Sequence, residues 1–231
     1  ELLFDWRLAD IEELNRSILQ QETDMIKASF HAWLGLRDKY TVLDSGSAMG
    51  FGTGPLLIAR EHVEKEKIAG LRIALPGEHT TAHLLFKTAF PDAELKEFML
   101  FSDIEDAILN RKADAGVIIH ENRFTFEAKG LVKLADLGEY WETNTGSPIP
   151  LGGIFAKRDL GEKTIEKLNR IMKRSVQFAM DNPEVAMPFV RKHAREMDEE
   201  VMKQHIDLFV NRFTLEAGEE GRRAIRVLVN W

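Results

Sequence analysis

The hydrophobic positions of the first 60 residues switch between a period of two and a helical period. Residues 2–8 place an apolar side chain at every second position, which predicts a strand. Residues 11–19 carry a helical apolar stripe behind Asp10, a predicted N-cap with Glu13 as its capping-box partner. The remaining elements predicted here are strands at 25–28, 40–43 and 55–60 and a helix over 29–37. This βαβαβ order is typical of a parallel sheet that is layered with helices.

The chain continues with a second α/β pattern and then becomes purely helical. A turn after residue 75 leads into a helix that begins around Thr80, and Ser102 with Glu105 predicts a capping box for a helix that ends near Asn110. Strands are predicted at 71–75, 95–100, 116–119, 131–137 and 151–156, and helices at 162–180, 183–196, 198–212 and 218–230. Strands and helices thus alternate up to Asp159, and only helices follow.

Two apolar strands, 55–60 and 151–156, connect the two α/β units in opposite directions. Such a double crossover predicts an α/β fold of the two-lobed, type 2 periplasmic-binding-protein kind, with a helical C-terminal region. We expect a larger, discontinuous first lobe of residues 1–59 and 152–231 and a smaller second lobe of residues 60–151. A ligand cleft between the lobes would then lie at strand C-terminal ends and helix N-termini.

Composition restricts the kind of ligand that such a fold could bind. Acidic residues outnumber basic ones, 38 to 31, for a net charge of -7 without a basic cluster, which argues against a nucleic-acid partner. A small anion could still bind through helix N-termini or a single placed Lys or Arg. The chain has no Cys, which excludes disulfides and thiolate sites, and it has no apolar run long enough for membrane insertion. The absence of Cys is compatible with a reducing compartment, and we expect a cytoplasmic protein.

The glycine-rich segment 50–54 does not have the context of a nucleotide-binding loop. A dinucleotide fingerprint lies between a strand and a helix, whereas Gly50-Phe51-Gly52-Thr53-Gly54 precedes Pro55 and a strand. We therefore predict a flexible loop beside a connecting strand. A Ser-His-Asp triad has no support either, because the chain has no Gly-x-Ser-x-Gly elbow.

His120 is the leading candidate for acid–base chemistry among the seven histidines. It directly follows the apolar strand 116–119, and an imidazole held there can titrate near neutral pH and act as a general base. The alternative is a hydrogen-bonded histidine at the end of a strand. No pair of histidines has the spacing and carboxylate context of a zinc motif, and His79 and His83 straddle a predicted helix start. Glu121 and Arg123 could orient the site or could be solvated.

Two further segments place polar groups at the predicted cleft. Thr80 and Thr81 open a helix, where they could simply cap it or could hold a carboxylate together with the backbone N–H groups. Lys27 and Ser29 lie at the end of a strand on the predicted cleft side. Ser29 could instead be an N-cap, and Lys27 could be an ordinary surface lysine.

Several motifs occur along the chain in an order that resembles one enzyme family. They are Lys27-Ala28-Ser29, Gly54-Pro55-Leu56, Pro76-Gly77-Glu78-His79-Thr80-Thr81, Ile119-His120-Glu121-Asn122-Arg123-Phe124-Thr125, and the run from Asp136-Leu137-Gly138 through Trp141 to Thr145-Gly146-Ser147-Pro148-Ile149-Pro150-Leu151-Gly152. Each motif is weakly specific, but the ordered set resembles the 1,4-dihydroxy-6-naphthoate synthases of the futalosine route to menaquinone. The resemblance runs from about residue 4 to about residue 228.

This resemblance implies a carbon–carbon lyase that converts cyclic dehypoxanthinyl futalosine to 1,4-dihydroxy-6-naphthoate and releases a dihydroxyacetone fragment. It implies neither a cofactor nor a metal, and its substrate is a small anionic carboxylate. It also implies that His120 is the proton acceptor. The positions that it assigns to substrate binding are Lys27, Ala28, Ser29, Thr80 and Thr81.

Two other functions are compatible with the same fold. The sister family that dehydrates chorismate shares several motifs, although the His-Glu-x-Arg turn and the Pro-Ile-Pro-Leu-Gly stretch favour the naphthoate synthases. A solute-binding receptor without catalysis would use His120 only as a hydrogen-bonding group.

The resemblance also implies residues on both sides of the chain. Family members begin with a further strand, a polar loop and a helix ahead of the position of Glu1, and they continue beyond that of Trp231. We expect the extra strand to be central in the sheet of the first lobe and the loop to line the cleft. A chain that lacks them is therefore expected to be poorly stable and inactive.

Overall fold

The computed structural model of the protein describes residues 2–194 and 198–231. The strands are β1 (Met25–Ser29), β2 (Tyr40–Val42), β3 (Ala48–Gly50), β4 (Leu56–Ala59), β5 (Ile73–Leu75), β6 (Lys96–Phe98), β7 (Ala115–Ile118), β8 (Val132–Asp136) and β9 (Ile149–Lys157). The α-helices are α1 (Ile11–Leu19), α2 (Phe30–Trp33), α3 (Thr81–Ala89), α4 (Ile104–Leu109), α5 (Asn122–Thr125), α6 (Leu137–Thr145), α7 (Glu162–Asp181), α8 (Pro183–His193), α9 (Glu199–Phe209), α10 (Arg212–Leu215) and α11 (Gly218–Asn230).

The first sheet is built around β9. β1 pairs antiparallel along one edge of β9, with Ser29 opposite Gly152, and β2 and β3 pair antiparallel along the other edge. The predicted parallel pairing of the first strands is therefore wrong. β1 and β2 share a direction, but β9 lies between them. The N-terminal sequence pattern cannot reveal this arrangement, because the strand that separates them comes much later in the chain.

The second sheet has the strand order β6-β5-β7-β4-β8. β5 pairs in parallel with β6 and β7, whereas β4 pairs antiparallel with β7 and β8. Every residue of β4 is buried, as expected for an apolar strand in the interior of a sheet. β4 thus belongs to the second sheet although the predicted lobe boundary follows it, and the boundaries themselves stay a prediction. The strands predicted after residue 9 are all present, close to their predicted bounds.

Residues 2–10 form no regular element, so the predicted strand at 2–8 is wrong. Alternation becomes a strand only where a partner strand accepts its backbone hydrogen bonds, and no described strand pairs with this segment. Leu3 and Trp6 are 93% and 65% exposed. Trp6 packs against Phe189 of α8 instead, with 6.3 Å between the ring centroids.

The first helix begins where the sequence predicts. Asp10 caps α1 by accepting a hydrogen bond from the backbone N–H of Glu12 at 2.9 Å. The capping box does not form, because the Glu13 carboxylate pairs with Arg7 at 3.3 Å.

The C-terminal helices also follow the predicted order. The predicted end of the helix over 183–196 lies outside the described residues. Among the helices that are described, none is both long and apolar enough to cross a membrane.

An aromatic cluster fixes the end of β1 against β9. Phe30, Trp33 and Phe155 are buried, and their ring centroids lie 5.4–5.9 Å apart. Trp33 Nε1 also donates to the backbone oxygen of Tyr40 at 2.9 Å. Aromatic pairs of this kind contribute about 0.5–1.5 kcal/mol beyond the area they bury. The position of Ser29, next to Phe30, is therefore set by a rigid part of the core.

Gly54 and Gly138 touch through their backbones beside β4. A Cβ added to Gly54 would lie 2.1 Å from Gly138 Cα, and one added to Gly138 would lie 2.7 Å from Gly54 Cα. The next residues reinforce this contact, since Leu137 N–H donates to the Pro55 oxygen at 2.9 Å. The glycine-rich loop that the sequence predicts is thus pinned at its end against the start of α6.

His31 joins α2 to the start of α3 through a hydrogen bond. Its Nδ1 lies 3.0 Å from the backbone oxygen of Thr80, and because a carbonyl can only accept, Nδ1 carries the proton. Burial lowers the pKa of His31 below its usual value, the hydrogen bond to Thr80 opposes this shift, and His83, His79 and Lys87 lower the pKa further.

We expect Gly54→Ala to lower the free energy of unfolding by about 1–3 kcal/mol, because the added methyl group must displace backbone atoms. Gly35→Ala is the matched control, since no atom lies within 4 Å of its added Cβ. Urea unfolding of the two variants measures the difference, and equal stabilities would contradict the close approach of Gly54 and Gly138.

His31 should make the stability of the protein depend on pH. As the pH falls, this histidine is protonated in the unfolded chain before it is protonated in the folded protein. The stability of the folded state is therefore unaffected by this residue above about pH 6.5, and it decreases as the pH falls from there towards the lower folded pKa. We expect His31→Asn to reduce the loss of stability between about pH 7.5 and pH 5. Urea unfolding at both pH values tests this, and identical losses in the wild type and the variant would refute it.

Candidate active site

A cavity of about 320 Å³, walled by elements of both sheets, collects most of the predicted site residues. β1, the N-terminus of α3, the turn after β7, the start of β9 and α9 all contribute to its wall. The predicted site residues that line it are Lys27, Ser29, Thr80, Thr81 and His120. The sixth, Ala28, lies behind the wall with its methyl group in the core.

β1 presents Lys27 and Ser29 to the cavity because side chains alternate along a strand. Ala28, between them, has no exposed surface and could reach a ligand only through its backbone. Ser29 is held by Asn15 of α1, whose side-chain oxygen accepts the Ser29 N–H at 2.8 Å. The Asn15 amide nitrogen also donates to Ser29 Oγ at 3.1 Å. A buried residue of α1 thus orients the hydroxyl that faces the cavity.

Lys27 lines the cavity, and no described carboxylate pairs with its ammonium. Its side chain keeps accessible surface because it borders open space. Protein nevertheless surrounds that space, and burial lowers the pKa of Lys27. No ion pair between described residues includes Lys27. A cation that has lost part of its hydration and has no counter-ion favours an anionic ligand.

The cavity has a positive character that the whole chain lacks. Among the described residues that line it there is no Asp or Glu, although the chain carries a net charge of -7. Arg123 is a second cation in the wall, and burial lowers its pKa. Its Nη1 donates to the Gly54 oxygen at 2.9 Å, which fixes the guanidinium in place. Together with the hydroxyls, these cations make the cavity suitable for a small anion.

Thr80 and Thr81 form the N-terminus of α3, and their hydroxyls are already bonded within the protein. Thr80 Oγ1 caps α3 by accepting from the His83 N–H at 3.2 Å, and it donates to the Gly77 oxygen at 2.9 Å. Thr81 Oγ1 donates to the Leu151 oxygen at 2.7 Å. What this helix end can offer a ligand is therefore its backbone N–H groups and its positive dipole end.

His120 follows β7 in a left-handed backbone conformation. Its φ is 58°, and of the other described non-glycine residues only Gln21 and Arg111 have positive φ. Histidine tolerates this region better than most residues. Its ring packs against Phe101, with 4.9 Å between centroids, and lies 5.9 Å from the ring of His205 in α9. The turn places the imidazole at the cavity mouth, where it lines both the cavity and an adjoining groove.

A buried carboxylate holds the residues after His120. Glu105 of α4 is 2% exposed, and its Oε2 accepts hydrogen bonds from Asn122 Nδ2 at 2.5 Å and Lys129 Nζ at 2.6 Å. The predicted capping box of Ser102 and Glu105 is therefore wrong, because Glu105 turns inward instead of capping α4. Its physical role is to anchor the turn that carries His120.

His205 and Ser47 are among the lining residues that the sequence does not predict as site residues. His205 is half-buried, and burial lowers its pKa to about 4, with the charge of Lys27 as the second cause. Ser47 is buried, and its Oγ has no hydrogen-bond partner among the described residues. No local pattern points to either residue, since both reach the cavity only through tertiary packing.

Comparisons with known proteins relate the whole chain to one family. The family described as menaquinone biosynthesis matches residues 1–231. The 1,4-dihydroxy-6-naphthoate synthases of Thermus thermophilus and Streptomyces coelicolor are each 42% identical to the chain. The Thermus match covers 94% of this chain and 79% of the relative, and the Streptomyces match covers 97% and 81%.

Solved structures extend the comparison to the fold. A protein of Archaeoglobus fulgidus superposes with a TM-score of 0.90 at 36% identity, over 96% of this chain and 83% of that one. The periplasmic aliphatic sulphonate-binding protein of Escherichia coli superposes with a TM-score of 0.60 at 12% identity, over 96% and 75%. The latter likeness concerns the fold alone, and it confirms the predicted two-lobed α/β class. The family match confirms the resemblance seen in the sequence: the chain belongs to the menaquinone biosynthesis family that includes the 1,4-dihydroxy-6-naphthoate synthases.

Proposed function

We propose that the protein is a 1,4-dihydroxy-6-naphthoate synthase that cleaves a carbon–carbon bond of cyclic dehypoxanthinyl futalosine. The observation that carries this proposal is the cavity, where a histidine meets cations and hydroxyls and no described lining residue is acidic. A carboxylate substrate requires a positive site, and a reaction that begins with deprotonation requires a base. The family relationship supports the same reaction.

His120 is the proposed general base. It removes a hydroxyl proton, a carbon–carbon bond then breaks, and the bicycle becomes aromatic as a dihydroxyacetone fragment leaves. The rings of Phe101 and His205 pack against the imidazole and restrict its rotation. The bond between Glu105 and Asn122 holds the turn from behind. A base must lie within hydrogen-bond reach of its proton, and these contacts limit where the imidazole can point.

The substrate carboxylate is proposed to bind between Lys27 and the N-terminus of α3. Lys27 supplies a charge without a protein partner among the described ion pairs, and Thr80 and Thr81 supply backbone donors at the positive end of a helix dipole. Ser29 and Ala28 would contact the substrate from β1, Ser29 through its hydroxyl and Ala28 through its backbone.

The proposal also includes the division of the chain into two lobes and the cellular compartment of the enzyme. The first lobe comprises residues 1–59 and 152–231, the second comprises residues 60–151, and the cavity lies at their junction. Closure of the lobes would exclude water from the reacting groups. We expect the enzyme to act in the cytoplasm on a soluble, anionic substrate.

Parallel assays with cyclic dehypoxanthinyl futalosine and with chorismate test the proposal. We expect the protein to release 1,4-dihydroxy-6-naphthoate from the first compound. Chorismate is also a carboxylate, so the charge of the cavity does not distinguish between the two candidate substrates. A turnover assay does distinguish between them. Dehydration of chorismate would assign the sister activity, and tight binding without any turnover would assign a receptor.

We expect His120→Asn to lower kcat by about 10²–10⁴-fold, the usual contribution of a general base. Asn adopts the left-handed conformation of this turn, so the backbone should be preserved. Arg111→Asn is the matched control, because Arg111 has a φ of 59° and does not line the cavity. Single-turnover kinetics measure the effect. Full activity of the His120 variant would show that another group is the base.

Lys27→Met should weaken substrate binding by about 2 kcal/mol or more, roughly thirtyfold, since a partly desolvated carboxylate loses its charged partner. The variant removes a charge that burial disfavours, so the folded protein should not become less stable. Equilibrium binding and urea unfolding are measured together, with the exposed Lys163→Met as control. Unchanged affinity in the Lys27 variant would place the carboxylate elsewhere.

A further inference from the structure

Two histidines and a glutamate meet at the mouth of the cavity although they are distant in sequence. Ring nitrogens of His120 and His205 and a carboxylate oxygen of Glu121 all lie within 4.8 Å of one another. All three residues are half-buried, and all border the groove that adjoins the cavity. Within the part of the chain that the structure describes, no other group of three possible ligands has this proximity. The spacing along the sequence gives no hint of it.

We propose that His120, Glu121 and His205 bind a Zn²⁺ ion that inhibits the enzyme. Two imidazoles and one carboxylate suit Zn²⁺, whereas Mg²⁺ and Ca²⁺ prefer oxygen ligands. In a tetrahedral site with bonds of about 2.0–2.2 Å, ligand atoms lie about 3.3–3.6 Å apart. The three ligand atoms, which lie within 4.8 Å of one another, would have to move closer by side-chain rotation to bind the ion. A water molecule or a substrate oxygen would complete the coordination.

The proposed ligands come from opposite sides of the cavity. His120 and Glu121 lie on the turn after β7 of the second sheet, whereas α9, which carries His205, packs against β3 of the first sheet. A metal ion held by both sides would bridge the mouth of the cavity. It would also occupy the lone pair that the proposed base needs to accept a proton. The inhibition therefore rests on the proposed function, whereas the binding of metal does not.

Lys27 opposes the proposed metal ion and so provides a second test. It lines both the cavity and the adjoining groove, as His120 and His205 do. Its ammonium repels a dication bound at the mouth. Replacing Lys27 with Met should therefore tighten the binding of Zn²⁺. The same variant is expected to weaken the binding of a carboxylate substrate, so the two ligands should respond in opposite directions.

Isothermal titration of the metal-free protein with ZnCl₂, without substrate, tests the binding. We expect one site in the wild type. His205→Ala and Glu121→Gln should each lower the affinity for Zn²⁺ by about tenfold or more, because the loss of a residue that merely supports a metal ligand already costs about that much. His62→Ala is the control, because His62 is an exposed histidine beside Glu64, outside the cavity. Melting curves with and without Zn²⁺ verify that each variant is folded and show whether the metal stabilises it.

Each outcome bears on one part of the proposal. Absence of a site in the wild type, or equal affinity in the folded His205 and Glu121 variants, would overturn the metal site. Turnover is measured separately in metal-free buffer. Inactivity there would count against the proposed function alone, because the titration does not depend on it. We expect Zn²⁺ to inhibit the wild type more strongly than Glu121→Gln, each relative to its own metal-free rate. Equal inhibition of both would refute the inhibitory role.

Discussion

The antiparallel register between β9 and its neighbours is the constraint on which the cavity depends. It sets Ser29 opposite Gly152 and Lys27 opposite Ile154, so a strand late in the chain positions the polar residues of β1. The start of β9 also accepts the hydroxyl of Thr81, which ties the N-terminus of α3 to the same strand. A slip of one residue would exchange the two faces of β9 and separate these partners. The aromatic cluster opposes such a slip, because a slip would move Phe155 away from the rings of Phe30 and Trp33.

The charges that line the cavity determine which ligands it favours. An acidic protein repels a small anion at long range, but the field inside a cleft depends on the groups that line it. Lys27 and Arg123 supply that local field, and burial lowers the pKa of each. Arg123 is also held by the Gly54 oxygen. The same local field opposes the binding of a cation at the mouth of the cavity.

Periodicity and turn residues predicted most of the elements, because those signals are local. They failed where a partner from another part of the chain decides the outcome. Residues 2–8 alternate like a strand but have no described partner strand, and Glu105 has the spacing of a capping residue but is drawn inward by Lys129. At the site, Lys27 and His120 were recognisable because each lies at the end of an apolar strand. His205 was not, since only the packing of α9 brings it to the cavity.

The turn that carries His120 is held from two sides, and this determines how the site is assembled. Behind it, the Asn122 side chain donates a hydrogen bond to the buried carboxylate of Glu105, of a kind that contributes about 1.5–3 kcal/mol. Beside it, Arg123 is bonded to the loop that precedes β4, and the contact of Gly54 with Gly138 fixes that loop. The proposed base is thus fixed to the second sheet, whereas Lys27 and Ser29 belong to the first. The distance between the proposed base and Lys27 therefore depends on how the two sheets are joined.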